Sequence, residues 1–375
     1  MKYSIFLIAG EVSGDMYGAK IVEKIKTINP EIHFCGLGGK RMKEAGVNLI
    51  EHADKLSVMG IPDVIKKIFF FKKLLYKTID QINKVQPKAI ILIDYPGFNL
   101  RLAKKIKKNS IPVYYYIPPK VWAWKKNRIK DIKKYIDEVF YIFPFEEHLY
   151  KKLNIKSEYV GNPLIELIAC SDKNSGEIIN WKKQKKVALL PGSRQQEIRY
   201  ILPSLLTLIE NYDEDTSFII ASPNNSISKQ IQKHLNDYPK NLDNVSIVES
   251  QTLEVLKQAD AAIITSGTAT LEAALLNIPH FLIYKTNWVT YLFAKVFVNL
   301  KFYGLVNLLL SRNVSVEVIQ NEVNTRRLIA ELDRLFNFQV AEKMKRDFES
   351  IKSLLGSKIT SEIIANKIVN LNPSD

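Results

Sequence analysis

The sequence predicts an α/β protein of two doubly wound, Rossmann-like domains followed by C-terminal helices. Three observations carry this. Apolar, β-rich runs alternate with helical patterns along most of the chain, as parallel βα units require. The alternation lapses into polar, lysine-rich sequence around residues 162 to 186 and then restarts. The length of 375 residues also exceeds what one hydrophobic core usually holds.

In the first half, strands are expected at YSIFLIAG (3 to 10), EIHFCGLGG (31 to 39), KAIILID (88 to 94), IPVYYYI (111 to 117), DEVFYIF (137 to 143) and SEYVG (157 to 161). The second series runs through KKVALLPGS (185 to 193), TSFIIAS (216 to 222), NVSIVES (244 to 250), AAIIT (261 to 265) and HFLIY (280 to 284). Helices fill the intervals. These runs place a first domain at 1 to 165, a second at 166 to 345 and a helical tail at 346 to 375, packing back on the first domain or on a partner subunit. No direct repeat links the halves, so their similarity is one of fold.

Composition narrows the function. A 46% hydrophobic, 25% charged chain is globular rather than disordered. Cys35 and Cys170 stand far apart without a CxxC or a nearby histidine set, which disfavours zinc and a disulfide framework and suggests reduced thiols in cytoplasm. The first apolar run stops at Gly10-Glu11 and reads as a strand rather than a signal peptide. Lysines interrupt every candidate membrane span. The net charge of +15 calls for something anionic, whether nucleic acid, a phosphorylated substrate or an acidic lipid surface.

The chemistry is expected on four loops. AAIITSGTATLEAAL (261 to 275) reads as strand, turn and helix, with Gly267 allowing a close ligand approach. Ser266 and Thr268 are both able to cap that helix and leave its first amides facing outward for a phosphate. Glu272, one turn in, suits a ribose diol. LLPGSRQQEI (189 to 198) is a second such turn: Gly192 and Ser193 shape it, and Arg194 stands ready to neutralise a diphosphate without a metal. Together the two turns read as a nucleotide-sugar holder. GEVSGDMYG (10 to 18) sets Glu11, Ser13 and Asp15 at the carboxyl end of the first strand, where two carboxylates favour sugar hydroxyls over a pyrophosphate. In IDYPGFNLR (93 to 101), Asp94 ends a strand where a carboxylate can take a proton from an attacking hydroxyl.

Two further stretches suggest partners. In IPDVIKKIFFFKKLLYK (61 to 77), Lys66, Lys73 and Lys77 lie on one side of a helix and Val64, Ile65, Ile68, Phe69, Phe71 and Leu75 on the other, a pattern suited to a membrane interface or an acyl chain. PPKVWAWKKNRIK (118 to 130) mixes tryptophans with basic residues, but no RRM, KH or OB pattern accompanies it, so nucleic acid is set aside as a partner.

With these residues in view the chain resembles the lipid-A-disaccharide synthase family, inverting glycosyltransferases of GT-B architecture. The resemblance runs nearly end to end through AGEVSGD, LSVMGIPDV, IDYPGFN, PPKVWAW, PGSRQQEI, SGTATLE and NLLLSRNVSVEVIQ. It implies a reaction: UDP-2,3-diacylglucosamine gives its sugar to 2,3-diacylglucosamine 1-phosphate, forming a β-1,6-linked lipid A precursor of Gram-negative outer membranes and UDP, with no cofactor and no metal. It implies Asp94 as the leading general base, with Glu11 and Asp15 as alternatives. Arg194, Gly267, Thr268 and Glu272 match UDP-binding positions, and Asn307 matches an active-site asparagine. The helix at 61 to 77 matches a segment that meets acyl chains or the inner face of the inner membrane, and a homodimer is compatible with the family. This sequence departs from many members at Gly97, where they have Asp, at Asn162, where they have His, and at Val306 and Ser315, where they have Pro. A UDP-N-acetylglucosamine 2-epimerase-like isomerase and a non-enzymatic basic membrane-binding protein are the alternatives.

Overall fold

The computed structural model describes residues 3–53, 56, 68–107, 110–121, 128–173, 178–288, 291–292 and 301–371. The chain forms two compact units, residues 1–166 with 355–375 and residues 167–354. It therefore passes from one unit to the other and back. The tail begins later than the sequence suggests, because the helix Phe338–Leu355 belongs to the second unit and the helix Thr360–Val369 to the first.

The first unit holds a seven-stranded parallel sheet: β1 (Ser4–Ala9), β2 (His33–Gly38), β3 (Val47–His52), β4 (Ala89–Ile93), β5 (Val113–Tyr116), β6 (Glu138–Tyr141) and β7 (Ser157–Tyr159), in the order β3-β2-β1-β4-β5-β6-β7. Its central strands are apolar on both faces because helices cover both, and Ile5 to Ala9 and Ala89 to Ile93 are wholly buried. The second unit holds a six-stranded parallel sheet: β8 (Lys185–Leu190), β9 (Thr216–Ser222), β10 (Val245–Glu249), β11 (Ala261–Thr265), β12 (His280–Tyr284) and β13 (Glu317–Ile319), in the order β10-β9-β8-β11-β12-β13. The edge strands β3 and β13 are additions to the sequence reading.

Each order reverses once, between β1 and β4 and between β8 and β11. Ala9 pairs with Ile93 in the first sheet and Leu190 with Ile264 in the second. At such a reversal the adjoining loops diverge to opposite faces and leave a crevice at the carboxyl edge, the place where open α/β sheets bind ligands.

The final helix is tied into the first unit by polar contacts. Ser361 donates its amide to Glu166 Oε2 at 3.0 Å and its hydroxyl to Glu166 Oε1, and Lys367 bridges Glu138 and Glu158. Gly161 makes the close approach possible. Its φ is +92°, and a Cβ there would stand 2.7 Å from Lys358 Cβ. Next to it, buried Asn162 accepts from the Leu164 amide at 3.1 Å and donates to the Ile142 carbonyl at 3.4 Å, so its side-chain amide bridges the two segments.

Candidate active site

The first unit brings Gly10-Glu11 and Asp94-Tyr95 side by side, because they directly follow the paired residues Ala9 and Ile93. Asp94 and Tyr95 are both left-handed, with φ of 45° and 48°, a strained pair of non-glycine residues just before Pro96 opens the helix Pro96–Ile106. The strain is held from three directions. The Asp94 amide donates to Tyr116 O at 2.9 Å; its carbonyl accepts from Asn99 Nδ2 at 2.7 Å and from the Tyr115 hydroxyl at 2.9 Å. The Tyr95 ring turns over the bare α-carbon of Gly10, where a Cβ would be 2.4 Å away, and its hydroxyl donates to Leu56 O at 3.0 Å. Burial, with the nearby Glu11 carboxylate adding to it, raises the Tyr95 phenol well above its ordinary range. Gly97 lies in open space on that helix.

Asp15 has another task. Its carboxylate is buried and accepts the backbone amides of Gly39 at 2.6 Å, Arg41 at 3.0 Å and Met42 at 3.0 Å, thereby capping the helix Lys40–Glu44. Both oxygens are committed to that helix start, which removes the ground for a catalytic role. Glu11, by contrast, is the N-cap residue of the helix Val12–Ile28 and makes no side-chain cap bond to it.

In the second unit the two turns stand on the neighbouring strands β8 and β11. Gly192, Ser193 and Arg194 form the first, and Arg194 is the N-cap residue of the helix Gln195–Glu210. Sequence reasoning missed Glu197. Its nearly buried carboxylate accepts from the Ser193 amide at 2.8 Å and the Arg194 amide at 3.2 Å, and its other oxygen lies 3.3 Å from the Arg194 guanidinium. The spacing in RQQE, with a glutamate three residues after the N-cap, is the signal that would have found it. Burial raises the Tyr284 phenol at the end of β12; nearby Glu197 adds to the rise and Arg194 opposes it, placing the end of that strand beside the turn.

The Ser-Gly-Thr turn corrects one expectation. Neither Ser266 nor Thr268 caps the helix Thr268–Leu275: Gly267 is its N-cap residue, with no side-chain cap bond, and the Ser266 hydroxyl instead donates to Tyr303 O at 3.3 Å. The helix start thus presents main-chain amides and the positive end of its dipole. One turn in, desolvation pushes the Glu272 carboxyl up to about 7.

Asn307 is also reassigned. It is fully buried at the heart of the segment following Tyr303. Its Nδ2 donates to Ser315 O at 2.7 Å and Glu317 Oε1 at 2.9 Å, and its Oδ1 accepts the amides of Val314 at 2.8 Å and Ser315 at 2.9 Å. Glu317 in turn accepts from the Tyr303 and Gly304 amides. Asn307 therefore shapes the chain beside the Ser-Gly-Thr turn rather than presenting its amide to a ligand.

Of the residues expected to meet lipid, Ile65 lies outside the described residues. Ile68 and Phe69 open the helix Ile68–Val85 and are exposed, Phe69 by 82%, whereas Phe71 and Leu75 pack against the core of the first unit. Trp122 and Trp124 also fall outside the described residues. Among those described, no helix is long and apolar enough to cross a membrane and no cluster of three or more His, Cys, Asp or Glu is placed to hold a metal.

The family model for lipid-A-disaccharide synthetase matches residues 5–367. The chain belongs to the lipid-A-disaccharide synthase family. Its similarity to individual members extends over most of the chain. A lipid-A-disaccharide synthase of Coxiella burnetii is 37% identical over 341 residues, covering 89% of each chain. Lipid-A-disaccharide synthase 1 of Legionella pneumophila is 35% identical, over 94% of this chain and 93% of its own, and the Myxococcus xanthus synthase is 32% identical over 98% and 97%. Among solved structures, UDP-GlcNAc 2-epimerase from Neisseria meningitidis, bound to UDP-GlcNAc, superposes with a TM-score of 0.68 at 14% identity, over 98% of this chain and 100% of its own. The glycotransferase of kitacinnamycin gives a TM-score of 0.61 at 12% identity, over 97% and 99%. These two likenesses establish the GT-B fold of two Rossmann-like domains that the synthase family shares with epimerases and other glycosyltransferases.

Proposed function

We propose that the protein joins UDP-2,3-diacylglucosamine to 2,3-diacylglucosamine 1-phosphate with inversion at the donor's anomeric carbon and without a metal. Family membership supports lipid A disaccharide synthesis and displaces the epimerase-like and non-enzymatic alternatives. One observation supports the division of labour: the reversal of strand order in each sheet carries its own set of polar groups, Glu11 and Asp94 in the first unit and the Gly192–Arg194 and Ser266–Thr268 turns in the second.

In this reading Asp94 accepts the proton of the acceptor 6-hydroxyl as its oxygen attacks the donor carbon. The bond from that carbon to the diphosphate breaks, and UDP leaves with the electron pair. Arg194 and the amides opening the helix Thr268–Leu275 take up the charge on the departing diphosphate. Glu272 holds the ribose, and Asn307 keeps the neighbouring segment in shape. Glu11 orients the acceptor beside Asp94. Ile68 and Phe69, with Lys72 and Lys73 exposed on the same helix, meet the lipid surface from which both acylated substrates come.

The test is product analysis after incubation with both lipid sugars and a chelator. A β-1,6 disaccharide 1-phosphate and one equivalent of UDP are expected; UDP-sugar consumption that ignores the acceptor would overturn the reading.

A further inference from the structure

Beside Asp94, the carboxyl edge of the first sheet carries charges that the reaction as described leaves without a task. Asp94 follows β4, Lys120 follows β5 through Pro118-Pro119, and buried Glu146 follows β6, so acid, base and acid stand in strand order along one edge. Arg128 opens the helix Arg128–Tyr135 that leads from β5 to β6, and a helix connecting parallel strands starts at their carboxyl edge. Arg101 lies on the helix that starts beside Asp94, and the two helices pack together. Desolvation lowers the Arg128 guanidinium, and Tyr115 and Asp94 pull it back up. Lys120 is likewise lowered by desolvation at its ammonium while Asp94 and Glu146 draw it up, although much of its side chain meets solvent. Lys120 and Arg128 thus both lie near Asp94, with Glu146 beside Lys120 and Arg101 beside Arg128, at the edge where the proposed acceptor must put its hydroxyl.

We infer that Lys120 and Arg128 form the recognition subsite for the acceptor's phosphomonoester. The inference rests on the synthase reading and deepens it. When the 6-hydroxyl of a glucosamine 1-phosphate lies on Asp94, the phosphate on C1 is close by, because C1 and the C5 that carries the hydroxymethyl group are joined through the ring oxygen. A dianion brought that close to Asp94 and Glu146 would be repelled unless cations stood between them. Arg128 supplies a planar pair of donors suited to phosphate oxygens, and Lys120 a mobile point charge. The subsite therefore recognises the acceptor by its anion and separates it from the donor, whose phosphates belong to the second unit. It also fixes the sugar's direction, so that the 6-hydroxyl and not the anomeric end faces Asp94.

Steady-state kinetics with acceptor carrying and lacking its phosphate test this, in wild type, Lys120→Gln, Arg128→Gln and Arg128→Lys. The wild type should prefer the phosphorylated acceptor. Each Gln variant should raise its KM about 10- to 100-fold, with a much smaller loss on the dephosphorylated acceptor and on the donor KM, so that the preference collapses. Arg128→Lys should recover part of it. Equal losses on the two acceptors, or a rise confined to the donor KM, would overturn the inference while leaving the synthase reading intact. Failure of the wild type to glycosylate either acceptor would instead sink that reading. Lys120→Gln, at a solvent-exposed position, keeps the test decisive if Arg128→Gln does not fold.

Discussion

The Tyr115 hydroxyl donates to the main-chain carbonyl of Asp94 at 2.9 Å, so the proposed base rides on a backbone held from the adjacent strand. The bond fixes a left-handed residue that would otherwise relax, and it links position on the sheet to reactivity at its edge. Asp94→Asn should keep UDP binding and lose about 100- to 10,000-fold in kcat. Tyr115→Phe, which frees the carbonyl but leaves Asn99 on it, should cost about 1 kcal/mol of stability and lower kcat more than it changes either KM. Stopped assays with a UDP-binding titration read both; full turnover in Asp94→Asn removes it as base.

Arg194 and Glu197 make a contrasting pair. Arg194→Ala loses a partly exposed ion pair, so stability should change by less than about 1 kcal/mol while UDP affinity falls about 10- to 100-fold. Glu197→Ala leaves the Ser193 and Arg194 amides without their acceptor and should destabilise by about 1 to 3 kcal/mol, with UDP affinity falling as a consequence of the loosened turn. Thermal melts with and without UDP separate the two. A Glu197→Ala protein as stable as wild type would contradict this role of Glu197.

Gly161→Ala places a Cβ against Lys358 at a φ that side chains rarely adopt. A loss of about 2 to 4 kcal/mol is expected in urea unfolding, together with faster proteolysis between residues 355 and 360. An alanine variant as stable as wild type would show that the tail docks by another route.

His280 predicts a pH effect confined to the second unit. It is wholly buried and stacked on Phe348 at 5.3 Å between ring centres, and desolvation pushes its imidazole down to about 4. The folded state therefore holds it neutral. The unfolded chain binds the proton from about 6.5 downward, so stability is full above that value and declines as pH falls toward 4. Glu272 works the other way over an overlapping range, its raised carboxyl favouring the folded state as pH falls from about 7 toward its ordinary value of 4.5, so the wild-type curve alone conceals both. His280→Phe isolates the term: relative to wild type, the variant should gain about 2 kcal/mol between pH 7 and pH 5 in denaturant melts. A difference independent of pH would mean the imidazole is not held neutral.

The central strands were legible because burial on both faces leaves a continuous apolar signal, as in β1 and β4. β3 and β13 lacked it: both are edges, and β13 has three residues. The two glycine-containing turns that open the helices Gln195–Glu210 and Thr268–Leu275 were legible from glycine and helix-start chemistry. The tasks of Asp15 and Asn307 were not, because the amides that occupy them come from Gly39 to Met42 and from Val314 to Ser315, and only folding brings these together. The split of the 61 to 77 helix pattern, with Phe71 and Leu75 inward and Phe69 outward, likewise depends on the neighbours a helix finds rather than on its own periodicity.

The return of the last helix to the first unit bears on how the protein is made. A ribosome delivers β1 to β7 early, yet the surface of the helix Val12–Ile28 that receives Thr360–Val369 stays uncovered until the whole second unit has been synthesised. A nascent chain stalled or terminated after the second unit would carry that unit complete and the first unit unfinished. Premature stop codons near residue 355 should for that reason be as damaging as ones placed far upstream.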